Sequence, residues 1–448
     1  MSAADFPSFS RAFLQRLRGS KFGRHVAIIT GGTVIGRTIT ALASPLLSRI
    51  YTPSDFGVLS VFFSTTTMLV IIGAFNYEAA IPLPKEDEAG LGVLAVSFGV
   101  LALNTLICGL IVLLFGSWVA HLLGAASLWR YLWLLPVGLL GGGTFFVLNS
   151  WAIRVQEFKS LAKRRITQSA LQVLVQLAAP LFARGPIGLL LGDCAGRAGG
   201  SLALLADTRE YIKIRRLHLS WNRIMEGAIR YKRFPIFGMT SVLLHTALTA
   251  LPALLLARLF GLQEAGWFGM VNQILGIAVG LIGLGVAQVF LSNAAQLAHT
   301  SPRGLRSLFL KTSRIALLAG VPPIALVLFA GPRLFGIIFG TQWMEAGVYG
   351  QLLALPFLVM LAVGPVFPAL TVLERQDWQV AADGIGLVIM FFGMQYVHHT
   401  GRSGRWGIAV YGVAISVTYL LLFVLAYYAI CNHCAKAGFR KSDTPLVN

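Results

Sequence analysis

Twelve stretches of about 20 mostly apolar residues follow one another along the chain, at roughly 25–47, 57–81, 90–115, 131–153, 166–184, 186–206, 234–257, 265–292, 315–338, 348–372, 378–397 and 407–430. A helix needs about 20 residues to cross the hydrocarbon of a bilayer, where a backbone must satisfy its own hydrogen bonds, so each stretch predicts a spanning helix. The connections are short and leave no room for a separate soluble catalytic domain. Composition agrees, because 56% of the 448 residues are hydrophobic and only 12% charged, where a soluble domain carries about 25% charged residues. The expected fold class is an all-α polytopic membrane protein. Ala41-Leu42-Ala43 imitates a signal-peptidase site, but Arg37 lies inside the preceding apolar segment and the apolar pattern resumes at once. Residues 25–47 therefore read as a retained first span.

The formal net charge of +19 would suggest nucleic acid as a partner of a soluble protein. Its distribution excludes that reading. Of the Lys and Arg residues, 27 fall on the side of the N-terminus and seven on the opposite side, which places both termini in the cytoplasm by the positive-inside rule. The chain divides into a basic N-terminus (1–24), a six-helix lobe (25–206), an inner linker (207–233), a second six-helix lobe (234–430) and a tail (431–448). The linker carries Trp221, Ile224, Met225, Ala228 and Ile229 among cations after an N-cap candidate, Ser220, the pattern of a short interfacial helix. Cys108, Cys194, Cys431 and Cys434 are too few for a disulfide framework. Cys431 and Cys434 form a lone CxxC around His433, without the second ligand cluster that a zinc site needs. No metal and no cofactor is expected.

Sliding the chain along itself by 209 residues aligns Arg49-Ile50-Tyr51-x-x-x-Asp55-Phe56-Gly57 with Arg258-Leu259-Phe260-x-x-x-Glu264-Ala265-Gly266 without gaps. Each copy joins the first and second helices of a half. Arg49 or Arg258 and the following aromatic anchor a helix end at the interface. Asp55 or Glu264 suits the N-terminus of the next helix, Pro53 fits its first turn, and Gly57 or Gly266 allows a close approach. Six spans per half make both halves start from the same side. The two lobes are then related by a pseudo-two-fold axis along the membrane normal, a layout suited to alternating access.

Charges and amides are costly in a bilayer and so face the bundle interior or a water-filled cavity. Thr30, Thr33, Arg37, Thr40, Ser44 and Ser48 form one stripe on the first helix, and Gln168, Gln172 and Gln176 recur at i, i+4 and i+8 on the fifth. Such faces either hydrogen-bond sugar hydroxyls or hold neighbouring helices together. Arg197 lies at i+4 from Asp193, which reads either as a structural ion pair or as a headgroup-binding arginine tuned by its carboxylate. His245 and Asp383 are candidate ion-coupling groups, as is Glu78 at the inner end of the second helix. No DxD, Walker A, HExxH or GxSxG motif is present, which weakens readings as a membrane enzyme or an ATP-driven pump.

Ser44-Pro45-x-x-x-Arg49-x-Tyr51-Thr52-Pro53-x-Asp55-Phe56-Gly57 and Tyr77-Glu78-Ala79-Ala80-Ile81-x-Leu83-Pro84 resemble the opening of bacterial polysaccharide-biosynthesis flippases. These belong to the oligosaccharide branch of the multidrug/oligosaccharidyl-lipid/polysaccharide exporter superfamily. Trp151-x-x-Arg154-x-x-x-Phe158-Lys159, Tyr231-Lys232-x-Phe234-Pro235 and Trp343-x-x-Ala346-Gly347 extend the resemblance over almost the whole chain. It implies two six-helix lobes around a cationic cavity in the bacterial inner membrane. It also implies transfer of a polyprenyl-pyrophosphate-linked oligosaccharide by ion-coupled antiport, driven by H+ or Na+, with membrane lipids and a polysaccharide polymerase as neighbours. Arg37 and Arg197, with Thr33, Thr40, Gln168, Gln172 and Gln176, are the expected cavity residues. Asp193, His245, Asp383 and Glu78 are the expected coupling residues, and the Arg49–Gly57 and Arg258–Gly266 motifs the gate. A drug/cation antiporter of the same superfamily and a membrane enzyme acting on lipid-linked sugars are the alternatives. No short motif records which glycan is carried, O-antigen, capsule or exopolysaccharide.

Overall fold

The computed structural model describes residues 21–442; residues 1–20 and 443–448, most of the basic N-terminus and the end of the tail, lie outside the described residues. Among the described residues there are twelve long helices and no strand. They are α1 (Lys21–Ile50), α2 (Pro53–Gly73), α3 (Asp87–Leu122), α4 (Leu134–Arg154), α5 (Phe158–Ala178) and α6 (Ile187–Ile214). After the short α7 (Trp221–Arg230) come α8 (Met239–Leu259), α9 (Leu262–Thr300), α10 (Pro302–Phe339), α11 (Met344–Val363), α12 (Gln376–His399) and α13 (Gly404–Ser442). Each expected span falls on one of them. Nine are long and apolar enough to cross a membrane by length and composition, among the described residues.

Two expected boundaries shift for local reasons. The second helix stops at Gly73, because Phe75 and Asn76 adopt positive φ (48° and 60°), a conformation that ends an α-helix. Glu78 thus sits in a separate 3-10 turn, Tyr77–Ala80. The fifth helix begins at Phe158 and ends at Ala178, with Pro180 in the turn that follows. The basic run Lys163-Arg164-Arg165 is therefore inside the helix. The inner linker forms the expected short helix: the Ser220 side chain caps α7 by accepting the Arg223 N–H at 3.4 Å.

The contact pattern occurs twice. In the first half α1 packs on α5, α5 on α6, α6 on α4, and α4 on α2 and α3; in the second half α8 packs on α12, α12 on α13, α13 on α11, and α11 on α9 and α10. Each pair maps onto its counterpart when α1–α6 is exchanged for α8–α13. α1 also touches α10, a contact without an image of similar extent, but the main contacts between the halves obey the same exchange: α2 meets α9, while α2–α8 and α1–α9 are mutual images. That is what a two-fold relation requires of a self-complementary interface. The repeat also holds residue by residue, since Arg49 and Arg258 occupy the last turns of α1 and α8, and Pro53 and Leu262 open α2 and α9.

Arg154 fastens the connection after α2. Its guanidinium donates to the carbonyls of Ile81 (3.1 Å), Pro84 (2.6 Å) and Glu86 (2.9 Å) and pairs with Asp87 (3.1 Å). Two separate sequence motifs, Tyr77–Pro84 and Trp151–Arg154, thus form one clamp. Beside it α7 lies on the start of α3, with Gly92 against the Arg223 carbonyl and Arg223 paired to Glu86 at 2.8 Å.

Candidate functional site

Residues 44–60 of the first half meet the second half at the end of the bundle poor in cations, which the charge rule predicts to be the outer one. Thr52 and Asp55 form a reciprocal capping box, with the Asp55 carboxylate accepting from the Thr52 N–H at 2.9 Å, and Pro53 occupies the first turn. This fixes the start of α2 against the start of α9. A Cβ on Gly57 would overlap the Leu262 carbonyl oxygen, and a Cβ on Gly266 would overlap that of Pro53. The two contacts are images of each other, so the two glycines let the helix ends cross at the pseudo-axis. Around them Phe56 stacks edge-on against Trp343 (5.0 Å), and the Ser48 carbonyl accepts from Gln342 (2.8 Å) and Trp343 (3.0 Å). Deeper in, Gln273 donates to Ser44 Oγ at 2.9 Å. Tyr51 braces the crossing from behind by donating to the Gln176 backbone carbonyl at 2.8 Å.

Arg37 lies just below this seam. One guanidinium nitrogen donates to the Gly276 carbonyl of α9 at 2.8 Å, and the bare Gly280 backbone flanks it. Its electrostatic neighbour is Arg165 on α5, whose guanidinium lies 5.4 Å above the Phe145 ring. The two helices come this close because Gly32 faces Ala162 and Gly36 faces Arg165 and Ser169. No carboxylate pairs with either arginine among the described residues. Arg165 went unread in the sequence because it ends the run Lys163-Arg164-Arg165, which looks like an interfacial cluster. A helix turns about 100° per residue: Lys163 is exposed, Arg164 turns to Asp207 on α6, and Arg165 turns to Arg37.

Several expected cavity residues have partners within the first half. Arg197 bonds Asp193 at 2.7 Å and lies 5.1 Å over Phe63, with its side chain only 12% exposed and that of Asp193 5%. This is a largely buried ion pair within the first half, in which Arg197 and Asp193 balance each other's charge. Gln176 is buried, donates to the Leu189 carbonyl at 3.3 Å and lies against Gly192, while Gly196 packs on Gln168 and Gln172. The glutamine stripe is thus the α5–α6 seam, because the glycines of α6 let the polar stems approach. Thr40 donates to the Gly36 carbonyl of its own helix, and Thr33 is engaged as well.

The two candidate coupling groups of the second half come together although 138 positions separate them: His245 Nδ1 of α8 is 3.3 Å from Asp383 Oδ1 of α12. Asp383 is fully buried with Oδ2 unpartnered among the described residues, whereas the His245 side chain keeps 30% exposure. An imidazole at the edge of accessible space, touching a buried carboxylate, is chemically able to pass a proton inward. Glu78 lies at the inner connection with one carboxylate oxygen buried and unpartnered, and burial pushes its carboxyl above the usual range.

Two helical halves that cross beside neighbouring arginines have the architecture of a membrane transporter. The chain belongs to the polysaccharide biosynthesis protein family, whose model matches residues 46–348. It is 26% identical to the succinoglycan biosynthesis transport protein ExoT of Rhizobium meliloti (strain 1021) over 429 residues, 93% of this chain and 81% of that protein. The fold matches the lipid II flippase MurJ in an inward closed conformation, with TM-score 0.71 and 10% identity over 94% of this chain and 93% of that one. It also matches an inward-facing multidrug resistance MATE transporter of the MOP superfamily, with TM-score 0.66 and 13% identity over 89% and 95%. The protein is a multi-pass membrane transporter of polysaccharide biosynthesis.

Proposed function

We propose that this chain flips a polyprenyl-pyrophosphate-linked oligosaccharide from the inner to the outer leaflet of the bacterial inner membrane, with both termini in the cytoplasm. Residues 25–206 and 234–430 act as the two lobes, and 207–233 as their inner tether. The observation that carries this reading is the Arg37–Arg165 pair. Two neighbouring guanidiniums without a paired acid repel each other and are costly away from bulk water. A diphosphate supplies the missing charge and matches the planar donor fork of each arginine. A cationic drug would add to the repulsion, which disfavours the drug-exporter alternative.

The sugar and pyrophosphate occupy the space below the outer seam while the prenyl chain stays in lipid. Closure at Gly57–Leu262 and Gly266–Pro53, with the substrate path open toward the inner side, is the state in which cargo loads. His245 and Asp383 couple the return to protons, His245 receiving the proton and Asp383 holding the imidazolium by charge. The test is reconstitution in sealed liposomes with a fluorescent polyprenyl-pyrophosphate oligosaccharide. Transfer that accelerates under a proton gradient and loses that acceleration in His245→Asn or Asp383→Asn supports the reading; no transfer by inserted protein overturns it.

A further inference from the structure

Glu264 occupies the place in the second half that Asp55 occupies in the first, and its surroundings are different. Asp55 accepts from the Thr52 N–H and hydroxyl at the helix start, at 2.9 and 2.8 Å. Before α9 the cap position is Gly261, at φ 108°, which has no side chain to complete a capping box. Glu264 turns instead toward α11 and α13. Its Oε2 would lie 2.6 Å from a Cβ on Gly404, and the Tyr349 hydroxyl would lie 3.0 Å from that same point. Both oxygens are buried and unpartnered among the described residues.

The carboxyl sits two residues before Gly266, in the first turn of α9 ahead of the apolar stretch 265–292. We propose that Glu264 is a proton site of the outer gate, resting on the gate assigned above: protonated, it stays beside Tyr349 and holds α9 against α2. On losing its proton to the outer solvent it is drawn out toward water, which loosens the Gly266–Pro53 crossing. The charged and titratable groups around it are Glu345 and Tyr349 on α11, Arg405 on α13, and His398 at the end of α12, edge-on to Phe260 at 5.8 Å. Arg405 already forks onto Glu345 at 2.5 and 2.7 Å, so Glu345 takes the nearby cation and leaves Glu264 uncompensated.

Burial and the Glu345 charge lift the Glu264 carboxyl to about 7, against the opposing pull of Arg405. A carboxyl raised in the closed state favours closure at low pH, and the advantage is lost as pH rises from the ordinary carboxyl range through about 7.

The experiment uses full-length protein in proteoliposomes, with the four native cysteines replaced by alanine and one cysteine introduced at Ser44, which is 1% exposed beneath the gate. A membrane-impermeant thiol reagent is applied from the outer side between pH 5 and 8. Rates are normalised to Ser403→Cys, an exposed outer position, which removes the intrinsic thiolate dependence and reports insertion. The expected result is normalised labelling of Ser44→Cys rising about tenfold across this range, with E264Q low and flat. Flat labelling in the parent chain, or the same rise in E264Q, overturns the proposal. Should E264Q not insert, E345Q serves, because removing the neighbouring negative charge must move the rise to lower pH; an unmoved profile also overturns it. The readout involves no lipid-linked sugar, so failure of the flippase reading leaves its outcome unchanged.

Discussion

The two halves repeat one helix plan and spend their charged residues differently. In the first half three acids pair with cations, Asp193 with Arg197, Asp207 with Arg164 and Asp87 with Arg154, while Glu78 in the turn after α2 keeps a buried oxygen unpartnered among the described residues. The surplus there is positive, Arg37 and Arg165. The second half buries Asp383 with only a histidine and Glu264 with an unpartnered oxygen. On the proposed reading, similar backbones hold a half suited to an anion and a half suited to protons. The two-fold plan sets where helices cross, and a few side chains would then divide binding from coupling.

The largest expected effect separates the two kinds of arginine. Arg197→Ala leaves Asp193 buried without its partner and should destabilise the protein by about 3–5 kcal/mol, read as loss of detergent-resistant folded protein on heating. Arg37→Ala should leave that melting profile nearly unchanged and abolish transfer. Equal melting losses in both would erase the distinction between structural and cavity arginines.

Next are the crossing glycines. Gly57→Ala and Gly266→Ala each push a methyl into a carbonyl of the opposite half, which should cost the closed state about 1–3 kcal/mol. Labelling of Ser44→Cys from outside should rise in both, and the double variant should show less than the sum, because both act on one contact. Full additivity would contradict a shared pseudo-axis. Smaller still is the cap: Thr52→Ala should lower stability by about 1 kcal/mol, while the matching change at Gly261, a substitution to Thr, should not gain the same amount because φ there is 108°. A thermal unfolding series on the two variants checks it.

What the sequence made legible was set by local chemistry. The twelve spans follow from apolar length, the linker helix from Ser220 and its apolar positions, and the repeat from Arg49–Gly57 beside Arg258–Gly266. Glu78 moved out of the second helix because positive φ at Phe75 and Asn76 is not visible in residue type. Side-chain partners across the bundle were harder to read. The i, i+4 spacing of Asp193 and Arg197 fits a closed pair as well as a tuned site, and only the surrounding Phe63 and Gly142 decide it. His245 and Asp383 each stand out alone, but nothing local joins residues on α8 and α12. Gln168, Gln172 and Gln176 looked like a polar lining because the glycines of α6 that cover them lie in another helix.

On the proposed reading, cargo passes by way of Arg37 and Arg165. The most direct test of this compares liposome transfer of the fluorescent polyprenyl-pyrophosphate oligosaccharide by R37Q/R165Q and by D193N/R197Q, at equal amounts of folded, inserted protein. The first double variant should lose at least about tenfold, since each charge-assisted hydrogen bond contributes about 1.5–3 kcal/mol, while the second, which neutralises both partners of a buried pair together, should transfer near the parent rate. Parent-like transfer by R37Q/R165Q, or an equal loss in both, would contradict it.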